Sequence, residues 1–144
     1  MEGYRFTWEG DVRFRDLDAL GHVNNAVYLT YLESARIAWW LHVTGRSGLQ
    51  ALDMILARVE VDYRSPLHMG EGVAVGVRCA SLGQSSFTVH CRMEERGRGR
   101  LVAEARKVLV SYDFEAGRSR VLPAEVRARL RAQDPEVVEK GASP

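Results

Sequence analysis

Residues 26–43 read AVYLTYLESARIAWWLHV, and this stretch decides the fold. Its polar members are Thr30, Glu33, Ser34, Arg36 and His42, of which Thr30, Glu33 and Ser34 form a narrow stripe at i, i+3, i+4. The rest, including Tyr28, Leu29, Tyr31, Leu32, Ile37, Trp39, Trp40 and Leu41, is apolar almost all round. A helix of that kind is buried in a core or spans a membrane. Spanning is the weaker reading, because Glu33 and Arg36 sit mid-segment, where each costs roughly 2.5–3.5 kcal/mol. The stretch therefore predicts a helix wrapped by the rest of the chain.

The wrapping is a run of strands. Tyr4 to Arg15 is the first candidate: Tyr4, Phe6 and Trp8 alternate with polar residues, and Val12 and Phe14 resume after Gly10-Asp11. Ala57, Val59, Val61 and Tyr63 alternate with Arg58, Glu60 and Asp62. Val73, Val75, Val77 and Cys79 alternate with Ala74, Gly76 and Arg78; Phe87, Val89, Cys91 and Met93 alternate with Thr88, His90 and Arg92. This period of two marks half-buried antiparallel strands. Turns fall at Ser65-Pro66 through Gly72, at Leu82-Gly83-Gln84 and at Gly97-Arg98-Gly99. Leu101 to Phe114 is the last long strand; there Glu104 and Arg106 share parity with Val108, Val110 and Tyr112, which predicts a bulge near Arg106-Lys107. Pro123 opens a short amphipathic helix over 123–132. The tail from Ala142 to Pro144 is expected to fray. A β-α-β-β-β-β order with one apolar helix predicts an α+β fold: an antiparallel five-stranded sheet curled around a long central helix.

Composition sets bounds on function. With 144 residues, 46% hydrophobic and 27% charged, residues 1–144 are expected to form one domain and not a disordered tail. A chain of this size buries roughly 70% of its unfolded surface, enough for one modest core. The 20 basic residues, 18 of them Arg, are balanced by 19 acids, so no global field draws the protein to nucleic acid or an anionic membrane. Met1 to Phe6 lack the apolar run of a signal peptide, and two cysteines are too few for a secreted disulfide scaffold. Both features predict a cytoplasmic protein with reduced thiols. Cys79 and Cys91 fall on inward strand faces. A two-residue turn at Gly83-Gln84 would oppose Cys79 to Thr88, so no disulfide is expected.

The densest polar stretch is Asp16-Leu17-Asp18-Ala19-Leu20-Gly21-His22-Val23-Asn24-Asn25, just before the apolar helix. Asn24 or Asn25 suits the N-cap. First-turn N–H groups are unpaired and carry partial positive charge, so they can hold a developing oxyanion. Asp-x-Asp-x-x-Gly looks like the start of a calcium loop, but Leu20 and Val27 stand where two further ligands belong, so no metal is expected. His42, His68 and His90 are scattered without metal-ligand spacing.

Asp16-x-Asp18-x-x-Gly21-His22-Val23-Asn24-Asn25-x-x-Tyr28, followed by Glu33-x-x-Arg36, resembles the hotdog-fold acyl-CoA thioesterases of the 4-hydroxybenzoyl-CoA thioesterase type. Tyr63-Arg64-Ser65-Pro66 to Gly70-Glu71 and Leu82-Gly83-Gln84-Ser85-Ser86 are similar to two further family segments, so the resemblance covers residues 4–114. It implies a hotdog fold and hydrolysis of acyl-CoA, or of acyl-carrier-protein thioesters, without cofactor or metal. The family's catalytic carboxylate matches Asp18, and the amide that polarises the thioester carbonyl matches Asn25. His22, Tyr28 and Arg64 are read as candidate substrate contacts. Leu20 departs from the version of the loop that alternates Asp, Asn and His, which favours the simpler pairing of Asp18 with an amide. A homodimer or homotetramer is implied, with the site at the subunit interface.

Each residue also has a plainer reading. Asp18 can shape an Asx-turn. Asp16 is read as structural, paired with Arg13, Arg15 or a turn amide. His22 either contacts substrate, orients Asp18 or is hydrogen-bonded structurally. Glu33 is expected to be satisfied by Arg36 or a strand polar group. The Arg96, Arg98, Arg100 cluster is either a solvated hairpin tip or, like Arg64, a grip for the phosphates of coenzyme A. Two other functions compete: a dehydratase or hydratase using His22 with Asp18, and a non-catalytic acyl-CoA binding module.

Overall fold

The computed structural model describes residues 1–140; the expected frayed tail, Ala142 to Pro144, lies outside the described residues. The apolar stretch forms α1 (Asn25–Thr44), one residue longer at each end than the pattern indicated. Asn24 is the N-cap, its side chain accepting from the Ala26 N–H at 2.9 Å. Gly45 ends the helix in the left-handed region (φ 65°), its N–H donating to the Leu41 carbonyl.

Five long strands follow the predicted order: β1 (Phe6–Asp11), β2 (Met54–Tyr63), β3 (Gly72–Leu82), β4 (Ser86–Glu95) and β5 (Leu101–Asp113). They pair antiparallel in the spatial order β1-β3-β4-β5-β2. Two strands of two residues were not anticipated. β6 (Arg118–Ser119) pairs with β5, and β7 (Val138–Glu139) runs parallel to β3. Between them α2 (Ala124–Gln133) buries Val126 and Leu130.

The core lies between α1 and the inner face of the sheet. Leu32, Ala35 and Trp39 of α1 are fully buried with Val73, Val75, Val77, Phe87 and Leu109. The Trp40 ring stacks on Phe87 at 5.3 Å, and its Nε1 donates to the Ala51 carbonyl. α1 packs on β1, β3 and α2. Its opposite flank stays open: Leu29 is 40% exposed and Glu33 is also exposed. No helix of the described residues is long and apolar enough to cross a membrane.

Several local expectations need correction. β1 stops at Asp11, not Arg15, because Asp16 accepts from the Arg13 N–H at 2.9 Å and coils residues 14–16 into a single 3-10 turn. No bulge interrupts β5 at Arg106-Lys107; the register shifts lie on β2, between Leu56 and Arg58, and on β5 against β4, between Leu101 and Ala103. The shared parity of Glu104, Arg106 and Val108 is simply the outer face of the sheet. Lys107, on the opposite parity, points inward and is 2% exposed. The β3–β4 connection holds three residues, Gly83 to Ser85, with Leu82 opposite Phe87, and a register shift follows Cys79. Cys79 therefore opposes Val89, and Cys91 opposes Val77; both thiols are free and buried. Burial pushes them up, to about 12 and about 11.

Candidate active site

The loop before α1 is anchored by Asp16. Its buried carboxylate accepts from the Arg13 N–H at 2.9 Å, the Arg13 guanidinium at 3.1 Å and the Tyr31 hydroxyl at 2.6 Å. Burial alone would raise the Asp16 pKa, but the bonds from Tyr31 and Arg13 outweigh it and hold the carboxyl below its ordinary value. The Asp16 carbonyl also accepts from the Asn24 N–H at 2.9 Å, tying the loop to the helix cap. Asp16 is structural, as the sequence indicated.

Two residues on, the chain turns tightly. The Asp18 N–H donates to the His22 carbonyl at 2.9 Å, and the Gly21 N–H donates to the Asp18 carbonyl at 3.1 Å. Gly21 takes φ 80°, which side chains with a Cβ rarely adopt. Asp18 Oδ1 accepts from the Leu20 N–H at 2.9 Å, so the Asx-turn is real. Its Oδ2 has no hydrogen-bond partner among the described residues, and the side chain is half-buried.

Asp18, His22, Asn25, Tyr28 and Arg64, distributed over 47 positions of sequence, line one open cavity of about 340 Å3. The Asn25 N–H, first in α1, has no acceptor among the described residues, whereas its neighbours Ala26 and Val27 donate to the Asn24 side chain and carbonyl. Tyr28 is a buried wall: its hydroxyl accepts from the Leu67 N–H at 3.1 Å. Arg64 pairs with Glu104 at 3.1 Å and stands 3.7 Å from Asp62, half exposed at the rim. His22 is exposed, its ring edge-on to His68 at 5.0 Å, with no hydrogen bond to the Asp18 carboxylate.

Sequence reasoning missed Tyr63 as a site residue, reading it as one of four positions on one face of a strand. It lines the cavity, packs edge-on to Tyr28 at 5.2 Å and donates to the Asn25 carbonyl at 2.9 Å. Its place beside Arg64 at the end of a strand was the available signal.

Other candidates fall away from the cavity. Arg96 is held by Asp11 at 2.8 Å. Arg100 binds both Glu71 oxygens, at 2.8 and 3.0 Å, together with the Ser65 hydroxyl and the Pro66 carbonyl, so it staples the β2–β3 loop. Glu33 makes no ion pair or hydrogen bond among the described residues, contrary to expectation, because it faces the open flank of α1. No cluster of three or more His, Cys, Asp and Glu among the described residues is placed to hold a metal ion.

A sheet ordered β1-β3-β4-β5-β2 and curled around one long helix is the hotdog architecture. Within it, the chain belongs to the thioesterase-like superfamily, whose family model matches residues 12–130. A thioesterase from Thermus thermophilus, solved with coenzyme A and Zn, is 40% identical, with a TM-score of 0.83 over 94% of this chain and 98% of that one. The structure of a predicted thioesterase from Bacillus stearothermophilus is 27% identical at a TM-score of 0.82, covering 94% and 98% of the two chains. The long-chain acyl-CoA thioesterase FadM of Escherichia coli is 26% identical over 124 residues, 83% of this chain and 92% of FadM.

Proposed function

We propose that the protein hydrolyses acyl-CoA thioesters, as an enzyme of the 4-hydroxybenzoyl-CoA thioesterase type. One observation carries the reading: a half-buried carboxylate with a free oxygen, Asp18, and an unpaired helix N-terminal amide, Asn25, flank the same cavity. Named relatives that act on acyl-CoA, and one solved with coenzyme A, support the substrate class. An acyl group on a carrier protein presents the same thioester and is the second substrate proposed.

The thioester carbonyl oxygen takes the Asn25 N–H, where the helix N-terminus favours negative charge. Asp18 removes a proton from water as it attacks the carbonyl carbon, or attacks that carbon itself to give an anhydride that water then opens. The tetrahedral intermediate collapses with cleavage of the C–S bond. The thiol leaves with a proton, and the acid remains. Tyr63 steadies the Asn25 peptide, Tyr28 walls the acyl side, and Arg64 exchanges its carboxylate partners for coenzyme A phosphates. An acyl thioester hydratase would need His22 and Asp18 to share a proton at carbon. The lack of a hydrogen bond between their side chains favours hydrolysis. A purely binding module would have no use for the free Asp18 oxygen.

The site is proposed to lie between two copies in a homodimer or homotetramer. β2 is an edge strand with an exposed outer edge, beside the open flank of α1. Antiparallel pairing of two β2 edges sets the Tyr63 end of one copy beside the Met54 end of the other. At that end lies a groove of about 810 Å3 where Leu49, Leu52, Tyr112 and Phe114 alternate with polar side chains, among them Arg46, Asp53 and Arg120. A cytoplasmic location is proposed with this substrate.

Thiol release from a panel of acyl-CoAs, followed with a thiol reagent at known solution molar mass, tests these readings together. Release of free coenzyme A by an oligomer is expected. Hydration or dehydration without release supports a hydratase, and saturable binding without turnover supports a binding module. A one-chain molar mass during turnover contradicts the interface site.

A further inference from the structure

Glu33 and Arg36 stand about one turn apart on the open flank of α1, and neither finds a charge partner inside the chain. Glu33 is exposed, with no ion pair or hydrogen bond among the described residues. Arg36 is half-buried. Its Nε is buried without an acceptor, and its two Nη groups, open to solvent, are unpaired among the described residues as well. At i, i+3 the two side chains are neighbours on the helix surface, yet they form no ion pair. Beneath them Cys91 and Lys107 project from the inner face of the sheet, and Lys107 lies in the field of both. Two cations against one exposed acid leave this patch short of a carboxylate.

The two residues sit symmetrically about the middle of α1: Glu33 lies eight residues after Asn25, and Arg36 eight before Thr44. Two copies of α1 lying antiparallel across a two-fold axis through that middle bring Glu33 of each opposite Arg36 of the other. The edge strand has its middle at the same level. Arg58 lies four residues after Met54 and Val59 four before Tyr63. Val59 is registered opposite Lys107, the residue beneath Arg36 and Glu33. One axis normal to the sheet therefore serves both the antiparallel pairing of two β2 edges and the antiparallel approach of two α1 flanks. The same side of the chain leaves large apolar side chains in water: Leu29 on α1 is 40% exposed, and Ile55, Leu56 and Tyr63 on β2 are 38%, 43% and 48% exposed.

We propose that the α1 flank is a self-docking surface in which Glu33 of each copy pairs with the partner's Arg36, twice across one two-fold axis. This pairing rests on the two-copy site proposed above, and it sets the register in which the copies meet. The occupant is a second copy because the patch is its own complement: an acid and a guanidinium exchanged by the axis satisfy each other. The partner's Glu33 takes the open Nη edge of Arg36, which presents two parallel donors to a carboxylate. It also offsets the excess positive charge over Lys107. Because the contacts are reciprocal, a change at either residue is felt twice.

The test is the oligomer dissociation constant, measured by sedimentation velocity over a concentration series. Wild type, Glu33→Arg, Arg36→Glu and an equimolar mixture of the two variants are compared. Each variant alone sets like charges across both contacts and should dissociate about 100-fold more readily or more. The mixture should recover an oligomer of near wild-type affinity. In the mixed pair the introduced arginine faces the introduced glutamate, and the native Glu33 faces the native Arg36. Pairing inside one chain gives like charges in both variants, mixed or not, so a mixture no tighter than its components overturns the proposal. Glu33 is exposed, so Glu33→Arg decides alone where Arg36→Glu fails to fold, and an unchanged dissociation constant in it overturns the pairing. A wild type that stays a single chain at every concentration overturns the pairing and the two-copy site together. A wild-type oligomer matched by both variants overturns this contact alone and leaves the two-copy site standing.

Discussion

The Tyr31 hydroxyl donates a 2.6 Å hydrogen bond to the buried carboxylate of Asp16, fifteen residues upstream. That bond joins the loop carrying Asp18 to the second turn of α1, where Asn25 supplies the first free amide. Carboxylate and amide are thereby positioned by a contact that neither of them makes.

Tyr31→Phe removes the donor and leaves a buried carboxylate short of a partner, so the variant should lose about 1–3 kcal/mol in urea denaturation at pH 7. The pH dependence has a definite sign. The folded Asp16 pKa is lowered, so its contribution is complete above the unfolded value of about 3.9 and is lost as pH falls through the folded one. The wild type should therefore destabilise more steeply in acid than Tyr31→Phe. Parallel acid limbs would contradict the assignment.

Lys107 makes an opposite prediction. Burial, reinforced by Arg36, pushes its ammonium down to about 8. Between there and the unfolded value of about 10.4, the unfolded chain binds more protons, so stability should rise with pH across that window. Lys107→Met should stabilise the protein at pH 7, by about 3 kcal/mol at most, and flatten the alkaline limb. Loss of stability at pH 7 would show that the ammonium has a partner.

Arg64→Glu places a negative charge at the cavity rim. It should raise KM for acyl-CoA about tenfold or more, with little change for a short acyl thioester that lacks the nucleotide. Equal effects on both substrates would remove Arg64 from phosphate recognition.

The legible parts of this molecule are those whose pattern repeats. Eighteen residues of nearly unbroken apolar character announced α1, and alternation announced five strands, because burial imposes a period on many residues at once. The Asp16–Asn25 motif led to a real cavity because its residues are adjacent in sequence. Single long-range contacts left no such trace. Tyr31 reads as one more apolar helix position, and nothing local shows that its hydroxyl meets Asp16. Lys107 reads as an outward strand residue until the register is known. β6 and β7 are too short to carry a period, and the β2 bulge shows itself only against its partner strand.

The Asp18 carboxylate is proposed to perform the chemistry in a fold that does not need it. Asp18→Asn keeps the side-chain oxygen that accepts from the Leu20 N–H, so the turn and the thermal midpoint should survive. The decisive measurement is kcat of wild type and Asp18→Asn on an acyl-CoA that the wild type cleaves, followed by release of free thiol. Binding of a non-hydrolysable acyl-CoA thioether is measured alongside. In Asp18→Asn, kcat should fall about 100-fold or more with thioether affinity retained. A folded Asp18→Asn enzyme that turns over within twofold of wild type would contradict it.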